Sequence, residues 1–253
     1  MTSRLLPSSP QAYARLGGAL YLAIIVFGAF SEGFVMSKLL VSGDAAATAR
    51  NILAAPGLWK LAVVLNVLLV LCAVPLLWVE YVLLRPVSRN LVLLALCLNL
   101  VSLAIESVSK VFMLLVMPVL DNPQYAQALG TQQVAVLANL MLKAHGVAFN
   151  VALLFFGLTC LVNGYLIFKS DYLPKVLGVL MQVAGAGYLV SCFAALFAPA
   201  LADVLLPALL LLPFVGELSL CLWLLIKGVN TTKWNTHAAH NQELRPAPSF
   251  VGA

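Results

Sequence analysis

The chain has 253 residues, of which 63% are hydrophobic and only 9% are charged, and its mean hydropathy is +1.04. Soluble domains typically carry roughly 25% charged residues, so this chain has too few charges to cover its surface in water. The composition counts against a soluble domain, a disordered chain and a secreted disulfide scaffold. The net charge of +5 does not indicate nucleic-acid binding, because the basic residues are scattered between apolar runs. The composition is typical of a multi-pass membrane protein, whose main partner is the lipid bilayer.

Six apolar stretches are long enough to cross a bilayer as helices, which takes about 20 residues each. In chain order they cover residues 13–36, 58–84, 91–117, 138–168, 176–197 and 204–226. We therefore predict an all-α membrane bundle with a cytoplasmic segment at 1–12 and a six-span domain at 13–228. The polar composition of residues 229–253 predicts a disordered cytoplasmic tail.

Two of the predicted outer loops can form short helices at the membrane surface. Residues 43–53 (GDAAATARNIL) contain Asp44, whose carboxylate is suited to accept from the free N–H groups of a first helical turn. Residues 124–133 are the second such segment. We expect both to lie along the bilayer surface rather than to cross it.

Lysine and arginine are distributed unevenly between the two sides of the predicted spans. One side carries nine of them, namely Arg4, Arg15, Arg85, Arg89, Lys169, Lys175, Lys227, Lys233 and Arg245. The other side carries three, namely Lys38, Arg50 and Lys60. Because positive residues favour the cytoplasmic side, we predict that both termini are cytoplasmic, which agrees with an even number of spans.

Several chemistries are disfavoured by the residue types present. Multi-histidine metal or haem sites are not expected inside the membrane, since His145 lies in a span but His237 and His240 lie in the tail. Nucleotide-binding and hydrolase motifs are absent from the sequence. The cysteines lie inside apolar runs without a C-x-x-C pair, so we interpret them as small apolar residues; they are Cys72, Cys97, Cys160, Cys192 and Cys221. We predict neither a metal nor a cofactor.

Ionisable side chains within the spans are the strongest functional signal, because each costs roughly 2.5–3.5 kcal/mol at the centre of a membrane helix. Glu32 and Glu80 lie near span ends, where this cost is low. The deeper positions hold Glu106, Lys110, Lys143, His145 and Glu217. Five polar residues of span three share a stripe about 100° wide, namely Asn99, Ser102, Glu106, Ser109 and Lys110. Within it, Glu106 and Lys110 are four residues apart in the favoured order, so each can neutralise the other.

Small residues recur on one face of spans four and five. Such residues let a neighbouring helix approach closely, and Asn or Lys on the same face can hydrogen-bond across the contact. The face comprises Asn139, Lys143, Gly146, Asn150, Gly157 and Gly164 on span four, and Gly178, Gln182, Gly185 and Cys192 on span five. We expect a neighbouring helix to approach each of these faces closely.

Span six contains Pro207 and Pro213, each of which removes a backbone hydrogen bond, and Glu217 follows one turn after Pro213. A kinked helix with a carboxylate beside freed backbone is common where membrane helices line a cavity. This pattern favours placing Glu217 at a cavity wall.

The intramembrane polar residues admit two interpretations. In the first they form a pocket open toward the outer face, lined by Glu106, Lys110, Lys143 and Glu217, with Asn66 and Asn150 nearby. In the second they only fix the register of packed helices. His145 lies about 100–140° around its helix from Lys143, so it faces a different neighbour.

Several stretches together resemble an uncharacterised group of bacterial multi-pass membrane proteins known as domain of unknown function 4386. They are residues 14–21 (ARLGGALY), 43–53, 83–90 (LLRPVSRN), 145–146, 155–160 (FFGLTC), 164–178 (GYLIFKSDYLPKVLG) and 216–228 (GELSLCLWLLIKG). The resemblance implies a helical integral membrane protein without an assigned activity. It adds weight to His145, Gly164 and Glu217, which lie in the matching stretches.

We hypothesise an inner-membrane protein that binds or transports a small polar or amphipathic molecule through this pocket. Glu217 and the Glu106–Lys110 pair would be its coordinating or proton-linked groups, with Lys143 balancing their charge. The first alternative is a membrane-embedded enzyme acting on a lipid, with His145 as general base within reach of a nucleophile such as Ser102 or Ser109, or of an activated water. The second is a structural or assembly subunit, which predicts no accessible cavity. We favour the non-enzymatic hypothesis.

Overall fold

The computed structural model describes residues 9–198, 200 and 211–243, and every regular element within them is a helix. These helices, numbered in chain order, are α1 (Pro10–Leu39), α2 (Ala45–Ala54), α3 (Pro56–Leu84), α4 (Arg89–Leu120), α5 (Pro123–Leu129), α6 (Thr131–Lys169), α7 (Lys175–Phe197), α8 (Leu211–Ile226) and α9 (Thr231–Glu243). The predicted all-α fold is confirmed.

Five of the described helices, α1, α3, α4, α6 and α7, are long and apolar enough to cross a membrane. A sixth candidate is the pair α8 and α9, which are bent by 97° at the break between them. The six predicted stretches are therefore confirmed as five to six candidate spans. Residues 204–210 of the sixth stretch, with Pro207, lie outside the described residues.

Local sequence signals set where several helices begin. The Asp44 side chain accepts from the N–H of Ala47 at 2.8 Å, so the predicted surface helix and its cap are confirmed in α2. The second predicted surface helix is shorter than expected. Gly130, whose φ is +88°, separates α5 from α6, and residues 131–133 belong to the longer helix.

Helix α1 changes from α-helical to π-helical winding within its candidate span. The segment Pro10–Gly28 is α-helical, Ala29–Met36 is π-helical, and Ser37–Leu39 returns to α. π-helical stretches are rare, and those that occur are often at functional sites. The wider winding turns the side chains that follow it away from the face on which an α-helix would place them. Here the stretch contains Glu32, which faces a cavity described below.

Glycines bring α6 and α7 into backbone contact, so the helix that approaches the small-residue face of each is the other. A Cβ built on Gly164 would lie 2.7 Å from the carbonyl oxygen of Gly178, and one on Gly185 would lie 2.6 Å from that of Gly157. A real Cβ atom essentially never comes within 3.0 Å of such a heavy atom. These two pairs therefore have no room for any larger residue, and they fix the register of the two helices.

The segment after α8 forms a helix that lies against one end of the bundle. The indole N–H of Trp234 on α9 and the hydroxyl of Tyr172 both donate to the carbonyl oxygen of Leu83, at 3.0 and 2.7 Å. Burial raises the pKa of the Tyr172 hydroxyl, so the hydroxyl keeps its proton and remains a donor. The expectation of disorder is therefore wrong for residues 231–243, while residues 244–253 lie outside the described part.

The glycine contact predicts a position-specific effect of a single methyl group. We expect Gly164→Ala to lower the free energy of unfolding by about 1–3 kcal/mol, since the added Cβ overlaps the backbone of α7. Gly146→Ala is the matched control on the same helix, because a Cβ there meets no atom within 4 Å. That variant should be neutral or slightly stabilising, by up to about 1 kcal/mol. Unfolding of both variants in detergent micelles measures the difference, and equal stabilities would contradict the packing described here.

Candidate functional site

A cavity of about 350 Å³ lies inside the bundle, and α1, α3, α4, α6, α7 and α8 all contribute to its wall. Most of the wall is aliphatic or aromatic. Along α1 it extends from Tyr21 to Glu32, a span of about 16 Å at 1.5 Å per residue. Small-molecule sites have this character, with apolar walls and a few placed polar groups in a volume of roughly 300–1,000 Å³.

Four carboxylates interrupt this apolar wall, and each comes from a different helix. Glu32 and Glu80 are contributed by the π stretch of α1 and by α3, and Glu106 and Glu217 by α4 and α8. Because each helix has one, the four groups converge only through the tertiary fold. We divide them into two groups by the side chains beside them. The distal group is Glu32 and Glu106 with Lys110, and the basal group is Glu80 and Glu217 with Tyr21 and Tyr188.

The distal group contains its own cation. The ammonium of Lys110 lies 3.4 Å from a carboxylate oxygen of Glu106, so the ion pair predicted from the sequence is confirmed. The same ammonium lies 4.5 Å from the ring centroid of Phe149, where the aromatic face adds a cation–π attraction. Lys110 also attracts Glu32 electrostatically. One of the two distal carboxylates, Glu106, is thus paired with a cation of this protein.

The basal group has hydroxyl and amide donors instead of a cation. The Tyr188 hydroxyl donates to Glu217 at 2.5 Å, and Tyr21 is a second hydrogen-bonding partner of that carboxylate. The amide of Asn163 donates to Glu80 at 3.0 Å. Glu80 and Glu217 are close enough to repel each other. Within the part of the chain that the structure describes, no basic side chain pairs with either of them.

A buried polar atom at the wall lacks a partner. Asn99 lines the cavity and is only 7% exposed, yet its carbonyl oxygen Oδ1 has no hydrogen-bond donor among the described residues. Its neighbour Ser102 is satisfied, because the hydroxyl donates across the helix contact to the carbonyl of Ala152 at 2.8 Å. Buried polar groups are nearly always paired, so Asn99 offers an acceptor that the protein itself does not use.

The structure brings together only part of the set predicted from the sequence. Glu106 and Glu217 line the cavity, and Lys110 lies directly behind Glu106. Lys143 is not part of the wall, since its side chain is exposed on α6. Asn150 donates to the carbonyl of Gly146 within its own helix at 2.9 Å. These two residues do not belong to the site.

Two other predicted residues lie beside the cavity rather than in its wall. Asn66 is buried and donates to Ser31 at 2.5 Å and to the carbonyl of Ala62 at 3.1 Å, which ties α3 to the π stretch of α1. His145 faces a different neighbour from Lys143, as expected. Its Nδ1 lies 3.1 Å from the carbonyl of Ser109, and its ring stacks on Phe149.

The serine hydroxyls near His145 are not free nucleophiles. Ser109 donates to the carbonyl of Glu106 at 2.7 Å, and Ser102 donates to Ala152. His145 thus contacts a backbone oxygen and an aromatic ring, and the described residues show no hydrogen bond from a serine hydroxyl to it. This geometry does not favour the lipid-enzyme hypothesis.

Three wall residues were missed by reasoning from the sequence: Glu32, Glu80 and Tyr188. The two carboxylates were set aside because span ends carry a low cost for charge. A usable signal existed, since Glu32 follows Tyr21 and Gly28 on one helical face, and Glu80 follows Asn66 and Ala73 on another.

The described helices and the cavity define a helical membrane protein with five to six candidate spans. The family model described as "Domain of unknown function (DUF4386)" matches residues 16–228, and the chain belongs to this family. The match confirms the resemblance and covers every residue of both carboxylate groups. The family description names no activity.

The chain is also similar to an uncharacterized protein of Archaeoglobus fulgidus. The two are 32% identical over 79 residues, which is 31% of this chain and 45% of the relative. The chain therefore matches less than half of that relative's length. No solved structure matches the chain.

The buried ion pair gives a prediction that separates charge balance from packing. We expect Glu106→Gln to lower the free energy of unfolding by about 3 kcal/mol, because it removes the carboxylate that is paired with the buried Lys110 ammonium. The double variant Glu106→Gln/Lys110→Met should recover most of this loss, since it removes both charges. Lys143→Met is the control, because that lysine is exposed. Unfolding titrations in micelles measure all four proteins, and a double variant no more stable than Glu106→Gln would contradict the coupling.

Proposed function

We propose that this protein binds a small amphipathic molecule in its intramembrane cavity and carries it across the bacterial inner membrane. The observation that carries the proposal is the cavity itself, about 350 Å³ with an apolar wall and four carboxylates. An apolar body fits the wall and a polar head fits the carboxylates. A molecule with both parts matches the site better than a wholly polar or wholly apolar one.

A role limited to packing accounts poorly for these residues. Residues that only fix helix register are expected to satisfy one another across tight contacts. Ser102 and Asn66 behave in that way, since each bonds directly to a neighbouring helix. Glu217 also accepts a hydrogen bond from Tyr188 on α7, but both Glu217 and Glu32 border the cavity, and the Asn99 oxygen has no described partner. The carboxylate groups therefore support a ligand site.

The proposed orientation rests on the distribution of positive charge. Nine lysines and arginines belong to the side that holds both termini and three to the other, which favours cytoplasmic termini. In this orientation the distal group faces the outside and the basal group lies toward the cytoplasm. We propose that the ligand enters from the outer face.

Reporter fusions test this orientation. Green fluorescent protein fused after residue 253 should fluoresce in cells, because that reporter matures in the cytoplasm, whereas alkaline phosphatase at the same position should be inactive. The same two reporters inserted at Gly43, between α1 and α2, should show the opposite pattern. Active phosphatase at the C-terminus would contradict the proposed orientation.

Binding to the cavity can be tested with three small probes that share a phenylmethyl body. These are benzyltrimethylammonium, its uncharged isostere neopentylbenzene, and phenylmethanesulfonate, which is negative. The protein in nanodiscs should bind at least one of them by equilibrium dialysis, after subtraction of the binding to empty nanodiscs. Uptake of the bound probe into proteoliposomes then tests transport.

A cavity-filling substitution shows whether the probe occupies this site. Ala73 lines the cavity, so Ala73→Phe should weaken binding by about tenfold or more by occupying the space of the ligand. Ala104→Phe is the matched control, because the side chain of Ala104 is exposed on the outside of α4. Wild-type protein that binds none of the probes, or Ala73→Phe that binds like wild type, would contradict the proposed function.

A further inference from the structure

We propose that the ligand of the cavity is an organic cation, an amine or quaternary ammonium compound with an apolar body, whose positive head binds between Glu80 and Glu217. This assignment rests on the proposed function, since it names the ligand class of the same cavity. It follows from the charge balance of the two carboxylate groups, from the chemistry of the wall and from one unpaired acceptor.

The charge balance differs between the two groups. Lys110 neutralises Glu106 in the distal group at 3.4 Å and also attracts Glu32. In the basal group, Glu80 and Glu217 repel each other, and the described residues provide them with no counter-ion. Two carboxylates in a low-dielectric site are stabilised most by a positive charge. A cationic ligand supplies the charge that the protein lacks there.

The distal group contains one bound ammonium, that of Lys110, and its contacts serve as a comparison for the proposed ligand. The Lys110 ammonium contacts a carboxylate and the face of Phe149 at the same time. The basal group has the same two elements, because Tyr188 donates to Glu217 and packs edge-to-face against Phe156 with ring centroids 5.5 Å apart. Carboxylates beside aromatic faces are the usual partners of ammonium groups in proteins. The basal group thus combines carboxylates with aromatic rings, as the distal group does.

Asn99 is an independent indication of a ligand. Its oxygen Oδ1 is an acceptor without a donor, and the residue is more than nine-tenths buried at the cavity wall. An N–H of a protonated amine is a donor, and the CH groups beside a quaternary nitrogen are weaker ones. An anionic ligand would instead bring further acceptors toward this oxygen and the carboxylates.

The wall indicates an organic cation rather than a metal ion. Among the described residues, no three His, Cys, Asp or Glu side chains converge in a way that could hold a metal. The cavity wall also contains aliphatic residues, including Leu69, Ala73, Leu76 and Leu153. Such a surface accommodates the hydrocarbon part of an amine, and the volume of about 350 Å³ limits the ligand to a small molecule.

The three phenylmethyl probes test the charge preference directly. Wild-type protein in nanodiscs should bind benzyltrimethylammonium at least about tenfold more tightly than neopentylbenzene, because the two molecules have the same shape and differ in charge. Phenylmethanesulfonate should bind more weakly than either. Equal affinities for the cation and its isostere, or tighter binding of the sulfonate, would overturn the assignment.

Substitution of the basal carboxylates locates the binding site. Glu217→Gln and Glu80→Gln should each weaken benzyltrimethylammonium binding by about tenfold or more and leave neopentylbenzene binding unchanged. The unchanged affinity for the uncharged probe shows that the variant is folded. Asp121→Asn is the matched control, because that carboxylate follows the end of α4, away from the cavity, and should not alter either affinity.

The outcomes separate this assignment from the proposed function. If wild type binds the probes without a charge preference, or if Glu217→Gln weakens both probes equally, the cation assignment fails and the binding function stands. If no probe binds to wild type, the binding function fails. Should Glu217→Gln not fold, Glu80→Gln and the wild-type comparison of the charged and uncharged probes still decide the assignment.

Discussion

Close contact between helix backbones determines which helices of this protein touch and which leave space. In a bilayer, apolar side chains gain little by leaving lipid for another helix, so small residues that allow dense packing select the partners. Gly157 and Gly164 on α6 meet Gly185 and Gly178 on α7, and a Cβ at Gly216 on α8 would lie 2.8 Å from a backbone oxygen of α7. These contacts hold three helices together along one side, and the larger side chains opposite them border the cavity.

The cost of charge in lipid then explains where the carboxylates lie. An ionised side chain that faces hydrocarbon is unfavourable. Glu106 and Glu217 are accordingly buried in the bundle and Glu80 is half-buried, while Glu32 is exposed and borders the cavity. The π stretch of α1 contributes to this arrangement, because it leaves Phe30 and Phe34 exposed on the outside while Glu32 lines the cavity. A polar cavity inside an apolar protein is thus a consequence of packing and solvation together.

Much of this architecture could be predicted from local pattern, and the exceptions have physical causes. Hydropathy predicted the spans, and spacing predicted the Glu106–Lys110 pair, because both depend on residues close in sequence. Lys143 was misplaced because α6 is 39 residues long and α7 only 23. Continuing the register of the two glycine pairs places Lys143 beyond Phe197, the last residue of α7. The polar face of α6 therefore has no α7 partner at that level, and Lys143 is exposed.

The two carboxylate groups show how structural and functional charges can be told apart in a membrane protein. In the distal group, Glu106 is neutralised by an ammonium that is covalently part of α4, so this ion pair is permanent and contributes to helix packing. The basal group has donors from tyrosine and asparagine but no tethered cation among the described residues. Its charge can be balanced only by protons or by a molecule that enters the cavity. Glu106 thus has its counter-ion within the chain, whereas Glu80 and Glu217 have none among the described residues, and the proposed cation site rests on this difference.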